Sequence, residues 1–219
     1  MNEIINEARK RNITTLIHFT NEKNLKSIIE NGILSKDTLD NRKMAYYYND
    51  EYRFDNLSDT ISLSVTFPNY KMFYSLRKEN VADDWVVILI DAEKVLSKPC
   101  AFCYDNAANS GISVIPLRQR MSLYAFHEMF SDDIFGCKRT EMGLSENEAT
   151  SPQAEILAFE SIPIEAIKCI VFEKESIKEK YVSLLKSVGI ESTVCEHYYY
   201  PRHDYKYWQN DILGDNNGY

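Results

Sequence analysis

No stretch of the 219 residues approaches the roughly 20 consecutive apolar positions that a membrane-spanning helix requires. The opening segment, Met1 to Arg11, is polar and charged and lacks the apolar centre of a secretory leader, so a cytoplasmic chain with no membrane partner is expected. Glycine is scarce at 7 residues, and none builds a GxGxxG after a strand or a GxxxxGK[ST]; neither a Rossmann site nor a P-loop is offered. The five cysteines (Cys100, Cys103, Cys137, Cys169, Cys195) are an odd number without secretory context, which points to reduced thiols. Cys100-Ala-Phe-Cys103 has a zinc-like spacing, yet no second CxxC or HxxxH supplies the other ligands. The run from Pro99 to Tyr104 also reads as extended, unlike the helix start of a redox motif. Buried thiols and no metal are expected.

What is present is globular. Hydrophobic residues make up 44% and charged residues 26%, enough for one sizeable core. A single domain over residues 1–209 is expected, with 210–219 as a disordered tail. The net charge of −8 argues against coating nucleic acid by bulk charge, although a local basic cleft remains compatible with it. Tyrosine dominates the aromatics, with 15 Tyr against 10 Phe and 2 Trp, and suits a cleft that must be both wet and sticky.

Periodicity gives an α+β order of elements. Thr14 to Phe19 is a β-branched strand; Thr20 then reads as a helix N-cap, and Asn31-Gly32 as the helix stop. Residues 35–58, polar and rich in Tyr with Arg42, Lys43 and Arg53 among them, read as a long loop with little regular structure. Thr60 to Phe67 alternates Ile61, Leu63, Val65 and Phe67 with Thr60, Ser62, Ser64 and Thr66, a strand with one all-hydroxyl face. Tyr70 to Arg77 can form a short helix. Trp85 to Ile90 is continuously apolar and should be a central strand. Ala154 to Phe159 and Ile167 to Phe172 are strands, Ser176 to Ser187 is an amphipathic helix, and Thr193 to Tyr200 reads as a last strand.

Two residues stand out chemically. Glu155 shares a strand face with Leu157 and Phe159, so its carboxylate is either a costly buried group with work to do or one that reaches solvent at the strand opening. His18, inside an apolar strand, reads on its own as a hydrogen-bonded core histidine.

Taken together, the segments Ile17-His-Phe-Thr-Asn-Glu-Lys-Asn-Leu-Lys-Ser-Ile-Ile-Glu-Asn-Gly32, Ile61-Ser-Leu-Ser-Val-Thr-Phe-Pro-Asn-Tyr-Lys-Met-Phe-Tyr74 and Pro152-Gln-Ala-Glu-Ile-Leu157 resemble DarT-type DNA ADP-ribosyltransferase toxins. The resemblance runs from about His18 to about Gly189 with the elements in the same order. It implies an ADP-ribosyltransferase-like split mixed sheet flanked by helices. It also implies transfer of ADP-ribose from NAD, as co-substrate, onto a base in single-stranded DNA by a toxin that an antitoxin protein restrains. The family's Gly- and Pro-rich insert before the second strand, associated with thymine-modifying members, is replaced here by a Tyr-rich charged stretch. Guanine is therefore the expected base.

On that resemblance Glu155 is the catalytic carboxylate, since cleaving the nicotinamide–ribose bond develops positive charge on the sugar. His18, with Phe19 and Thr20 beside it, is expected at the nicotinamide ribose and carboxamide. Ser62 and Ser64 would line the NAD cleft, and Tyr70 and Tyr74 would offer stacking surface, while Phe73 packs in the core. Arg53 is the first choice of cation for the pyrophosphate, with Arg42 or Arg77 as substitutes. For the acceptor, Gln153, Asn106, Arg118 and Arg120 are expected to bind substrate, and the run Tyr198 to Trp208 has the composition of a base-stacking platform or of a closing strand. RNA is the alternative acceptor. A catalytically silent nucleotide binder is a further alternative, and Gln153 in place of an acid argues against an Arg-directed protein transferase.

Overall fold

The computed structural model describes residues 2–47, 57–132 and 136–209. Among the described residues seven strands form one mixed sheet: β1 (Thr15–Asn21), β2 (Ile61–Val65), β3 (Trp85–Asp91), β4 (Cys100–Cys103), β5 (Glu155–Ala158), β6 (Ile167–Phe172) and β7 (Glu191–Val194). Their spatial order is β4-β5-β2-β1-β3-β6-β7. Every neighbouring pair is antiparallel except β6 and β7, which are parallel and joined by the helix Glu175–Ser187. No described helix is long and apolar enough to cross a membrane.

The sheet is nearly split. β1 and β3 pair over seven residues, whereas β1 and β2 pair only at Leu16↔Val65 and Ile17↔Ser64 before they part. One half (β4, β5, β2) is thus joined to the other (β1, β3, β6, β7) by a short seam.

Packing explains where the opening falls. One face of the sheet carries a continuous core in which Leu16, Leu63, Ile88, Ile156 and Phe172 meet the helices Asn2–Lys10, Leu25–Asn31 and Glu175–Ser187. The other face is covered by two separate clusters. Phe73 and Tyr199 lie over Ile17, Phe19, Trp85, Val87 and Val171, while Ala107 and Ile112 lie over Ala101, Cys103 and Leu157. Between them runs β2, whose residues on this face are the hydroxyls Ser62 and Ser64, so neither apolar cluster continues across it among the described residues. The hydroxyl face therefore belongs to a central strand.

Several expectations are corrected. Thr20 lies within β1, and the cap is Asn21, whose side chain accepts from Lys23 N–H ahead of a short 3-10 turn, Glu22–Asn24. Ser35 caps a helix, Lys36–Asn41, inside the segment expected to be irregular: its hydroxyl accepts from Thr38 N–H. The expected last strand ends at Val194, and Glu196–Tyr199 is a 3-10 turn because the Tyr199 hydroxyl is drawn into the core to donate to Trp85 O and Val171 O. The expected disordered tail, 210–219, lies outside the described residues.

Gly32 needs its lack of a side chain. It closes the helix Leu25–Asn31 at φ 77°, where a Cβ would stand 2.3 Å from Ile162 O. That approach allows the isolated bridge between Ile33 and Ile162.

Candidate active site

The gap over β2 and the split beside it enclose a cavity of about 360 Å³, bordered by His18, Thr20, Ser62, Ser64, Asn69 and Glu155 among others. Its size suits a substantial part of a nucleotide. Glu155 opens β5 and is 9% exposed. The Ser62 hydroxyl donates to its Oε2 at 3.3 Å. His18 sits where β1 leaves β2, and its Nδ1 lies 3.1 Å from the carbonyl of Ser62. A carbonyl only accepts, so Nδ1 carries a proton. The acid and the imidazole, from opposite halves of the sheet, meet on one serine.

The neighbouring wall is polar. The Thr20 hydroxyl accepts from Asn24 Nδ2 at 2.9 Å, and the same amide fixes the Tyr47 backbone through Nδ2→O and N–H→Oδ1 contacts of 2.8 Å each. Phe19 borders the cavity while its ring stacks on Phe73 at 4.6 Å. Beyond β2, Thr66 takes φ 57°, a costly conformation for a β-branched residue, and Phe67 N–H closes the turn on Val65 O at 2.6 Å. The Thr66 hydroxyl then donates to Asn147 O at 3.0 Å, tying the end of β2 to the loop before Glu155.

That loop is rigidly held. Arg202 makes a two-point ion pair with Asp204 at 2.7 Å and donates to Ala149 O and Thr150 O at 2.9 and 3.0 Å. Arg139 donates to the carbonyls of Ser145 and Glu148 and to the Thr150 hydroxyl. The Ser151 hydroxyl donates to Asp105 at 2.7 Å. Burial pushes Asp204 upward, but hydrogen bonds and charge from Arg202 outweigh it and hold the carboxyl below its usual range.

His18, Phe19, Thr20, Ser62, Ser64, Asn106 and Glu155 all border the cavity. Tyr70 and Tyr74 do not. They share one ridge of the helix Tyr70–Glu79, and its first turn presents Asn69 and Met72 to the cavity instead; Tyr70 is buried and Tyr74 exposed. Arg53 lies outside the described residues. Its substitutes are elsewhere: Arg42 is exposed beyond the cavity, and Arg77 is engaged with Tyr199 O and Glu173. Gln153 is half-buried, with its N–H on Ser151, and Arg118 is exposed; neither borders the cavity. Arg120 is buried away from the cavity, with Nη1 3.9 Å from Cys103 Sγ.

Arg202, within the run Tyr198 to Trp208, is 3% exposed and occupied by Asp204, so it offers no cation to nucleic acid. The platform Tyr198 to Trp208 is divided: Tyr199 and Trp208 are core residues, and Tyr200 and Tyr205 are exposed. Asn24, Lys36 and Asn69, all cavity residues, were missed by sequence reasoning. Asn24 and Asn69 precede helix starts, and such residues read as caps. The two thiols of Cys100-Ala-Phe-Cys103 are three apart on a strand, so they enter different clusters on opposite faces and share no ligand. Among the described residues, no group of three or more His, Cys, Asp or Glu is placed to hold a metal ion.

A family model described as "ssDNA thymidine ADP-ribosyltransferase, DarT" matches residues 17–200. The chain belongs to the DarT family. DarT members are single-stranded-DNA ADP-ribosyltransferases, and this chain is an enzyme of that class. Among solved structures it is similar to Thermus sp. 2.9 DarT in complex with ADP-ribosylated ssDNA, with a TM-score of 0.61, 15% identity, and cover of 86% of this chain and 97% of that one. The same Thermus protein in complex with carba-NAD+ gives a TM-score of 0.59 at 16% identity, over 86% and 98% of the two chains. Thermosipho africanus DarTG in complex with ADP-ribose gives a TM-score of 0.60 at 15% identity, covering 85% of this chain. The chain spans about half of that relative's length, 51%. At such identities the likeness to the solved structures establishes a common fold. No curated protein sequence matches the chain.

Proposed function

We propose that this DarT chain uses NAD to attach a single ADP-ribose to a base of single-stranded DNA, and that guanine is the base. The observation that carries the reading is the meeting of His18 and Glu155 on Ser62 at the split of the sheet. Support comes from the family match and from fold relatives whose complexes contain NAD+ and ADP-ribosylated ssDNA. The family description names thymidine, and thymine is accordingly the competing base. The preference for guanine rests on residues 35–58, where a Tyr-rich charged stretch stands in place of a Gly- and Pro-rich insert.

Each residue then has a role. His18 Nε2 accepts from a ribose hydroxyl, and Thr20 with the Phe19 backbone meets the carboxamide. Glu155 faces the ribose, stabilising positive charge as the nicotinamide departs and taking the proton released when the base nitrogen bonds to the sugar. Ser62 aims the carboxylate. Lys36, at the cavity, and Arg53 supply positive charge for the pyrophosphate. Asn106 lies on the acceptor side, where its side chain already shapes a turn by accepting from Ala108 N–H at 2.8 Å. Arg118 and Gln153, outside the cavity, are proposed along the path of the strand, and Arg120, buried against Cys103, has no proposed part. Tyr70 and Tyr74 have no proposed part in binding NAD. The enzyme acts as a toxin that an antitoxin protein restrains, within the cytoplasm.

The test is incubation with labelled NAD and single-stranded DNA, RNA or protein, followed by mass analysis of the nucleosides. Label on DNA guanine, abolished in Glu155→Gln, supports the reading. Label on thymine corrects the base, and label confined to RNA or protein overturns the acceptor.

A further inference from the structure

Asn69 is 2% exposed and borders the cavity at the turn from β2 into the helix Tyr70–Glu79. Its hydrogen bonds fix which way its amide faces. The backbone N–H donates to the Ser64 hydroxyl at 3.1 Å, and the side chain caps the helix at 3.2 Å from Met72 N–H. Met72 N–H only donates, so the amide atom it meets is the oxygen, Oδ1. Nδ2, with two protons to give, is thereby turned away from the cap. It is buried and has no acceptor. A sealed amide donor costs about as much as a lost hydrogen bond, and such groups are rare in native proteins.

The cap alone does not require an amide. Serine, threonine and aspartate serve as well at an N-cap. What asparagine adds is the donor, on a residue that lines the cavity together with Ser64, whose strand carries Ser62 toward Glu155.

We infer that Asn69 Nδ2 donates to a carbonyl oxygen of a substrate bound in the cleft, making Asn69 a substrate-binding residue. The inference rests on the proposed transferase reading. Two substrates present such an oxygen there: the carboxamide of NAD and the carbonyl of the acceptor base. Asn69 and Met72 both line the cavity, and a flexible thioether can turn aside to admit the oxygen to the buried Nδ2.

Asn69→Ser keeps a cap acceptor and removes the donor without adding charge. Asn69→Asp keeps the shape and the cap as well, again without the donor. Both are compared with the wild type for thermal melting, for binding of a non-hydrolysable NAD analogue and for transfer to a single-stranded oligonucleotide. The expected result is a loss of about tenfold or more in transfer kcat/KM for both variants at a melting temperature close to the wild type. Weakened binding of the analogue assigns the donor to the carboxamide, and a raised KM for the oligonucleotide at unchanged analogue binding assigns it to the base. Wild-type transfer and wild-type binding of the analogue in Asn69→Ser would overturn the inference. If the wild-type enzyme transfers nothing, the proposed function fails, and the analogue-binding comparison alone judges Asn69.

Discussion

Ser62 donates its hydroxyl to Glu155 Oε2 at 3.3 Å, while its carbonyl lies 3.1 Å from His18 Nδ1. One residue of a central strand thus orients both the acid and the imidazole. Ser62→Ala removes the hydroxyl but leaves the carbonyl. Steady-state kinetics should show kcat for transfer about tenfold lower with the KM for NAD little changed, because aim is lost and binding is kept. An equal rise in KM at unchanged kcat would show that Ser62 serves binding instead.

Asp204 couples acidity to stability. Its folded carboxyl titrates below its unfolded value, so the stabilisation from the Arg202 pair is fully present above the unfolded value, near pH 4. It is lost as pH falls through the folded value. Melting followed by circular dichroism should show an acid limb below about pH 4 that is shallower in Asp204→Asn. The same variant leaves Arg202 buried without its anion and should cost about 3 kcal/mol or more at neutral pH.

Cys100 is protected by burial, which pushes its thiol up to about 12, with Glu160 adding to the shift. At pH 8 it should resist thiol reagents in the native protein and react only on unfolding. The half-buried Cys137 and Cys195 should label first. Mass mapping after a short pulse of reagent reads the order, and early label on Cys100 would contradict its place in the core.

Gly32→Ala should be among the costlier single-methyl changes. The new carbon would sit 2.3 Å from Ile162 O at a left-handed φ, so the helix end or the Ile33–Ile162 bridge must move. A loss of about 2 kcal/mol in denaturant unfolding is expected.

Much of this was legible in the sequence because it followed from periodicity. The alternation of Ile61, Leu63 and Val65 with Ser62 and Ser64 set the hydroxyl face of β2, and the unbroken run Trp85–Ile90 marked a strand buried on both sides. His18 and Glu155 were reachable through family resemblance, since a histidine in an apolar strand and an acid at a strand opening are ambiguous alone. What escaped depended on long-range partners. Arg202 stands in a run with the composition of a stacking platform, yet Asp204 and two carbonyls of the loop before Glu155 claim it. Asn69 drew no attention in the sequence, because nothing local shows that half of its amide has no partner. Tyr70 and Tyr74 had the right chemistry on the wrong side of a helix whose rotation is set by Phe73 in the core.

The short seam between β1 and β2 has a mechanical meaning. A ligand that touches the imidazole of one half-sheet and the carboxylate of the other acts as a tie rod across the joint, adding stiffness where the backbone supplies only two paired positions. Amide exchange in β2 and in the β1 residues flanking the joint should slow on binding a non-reactive NAD analogue, while the continuous β1–β3 ladder stays as it was.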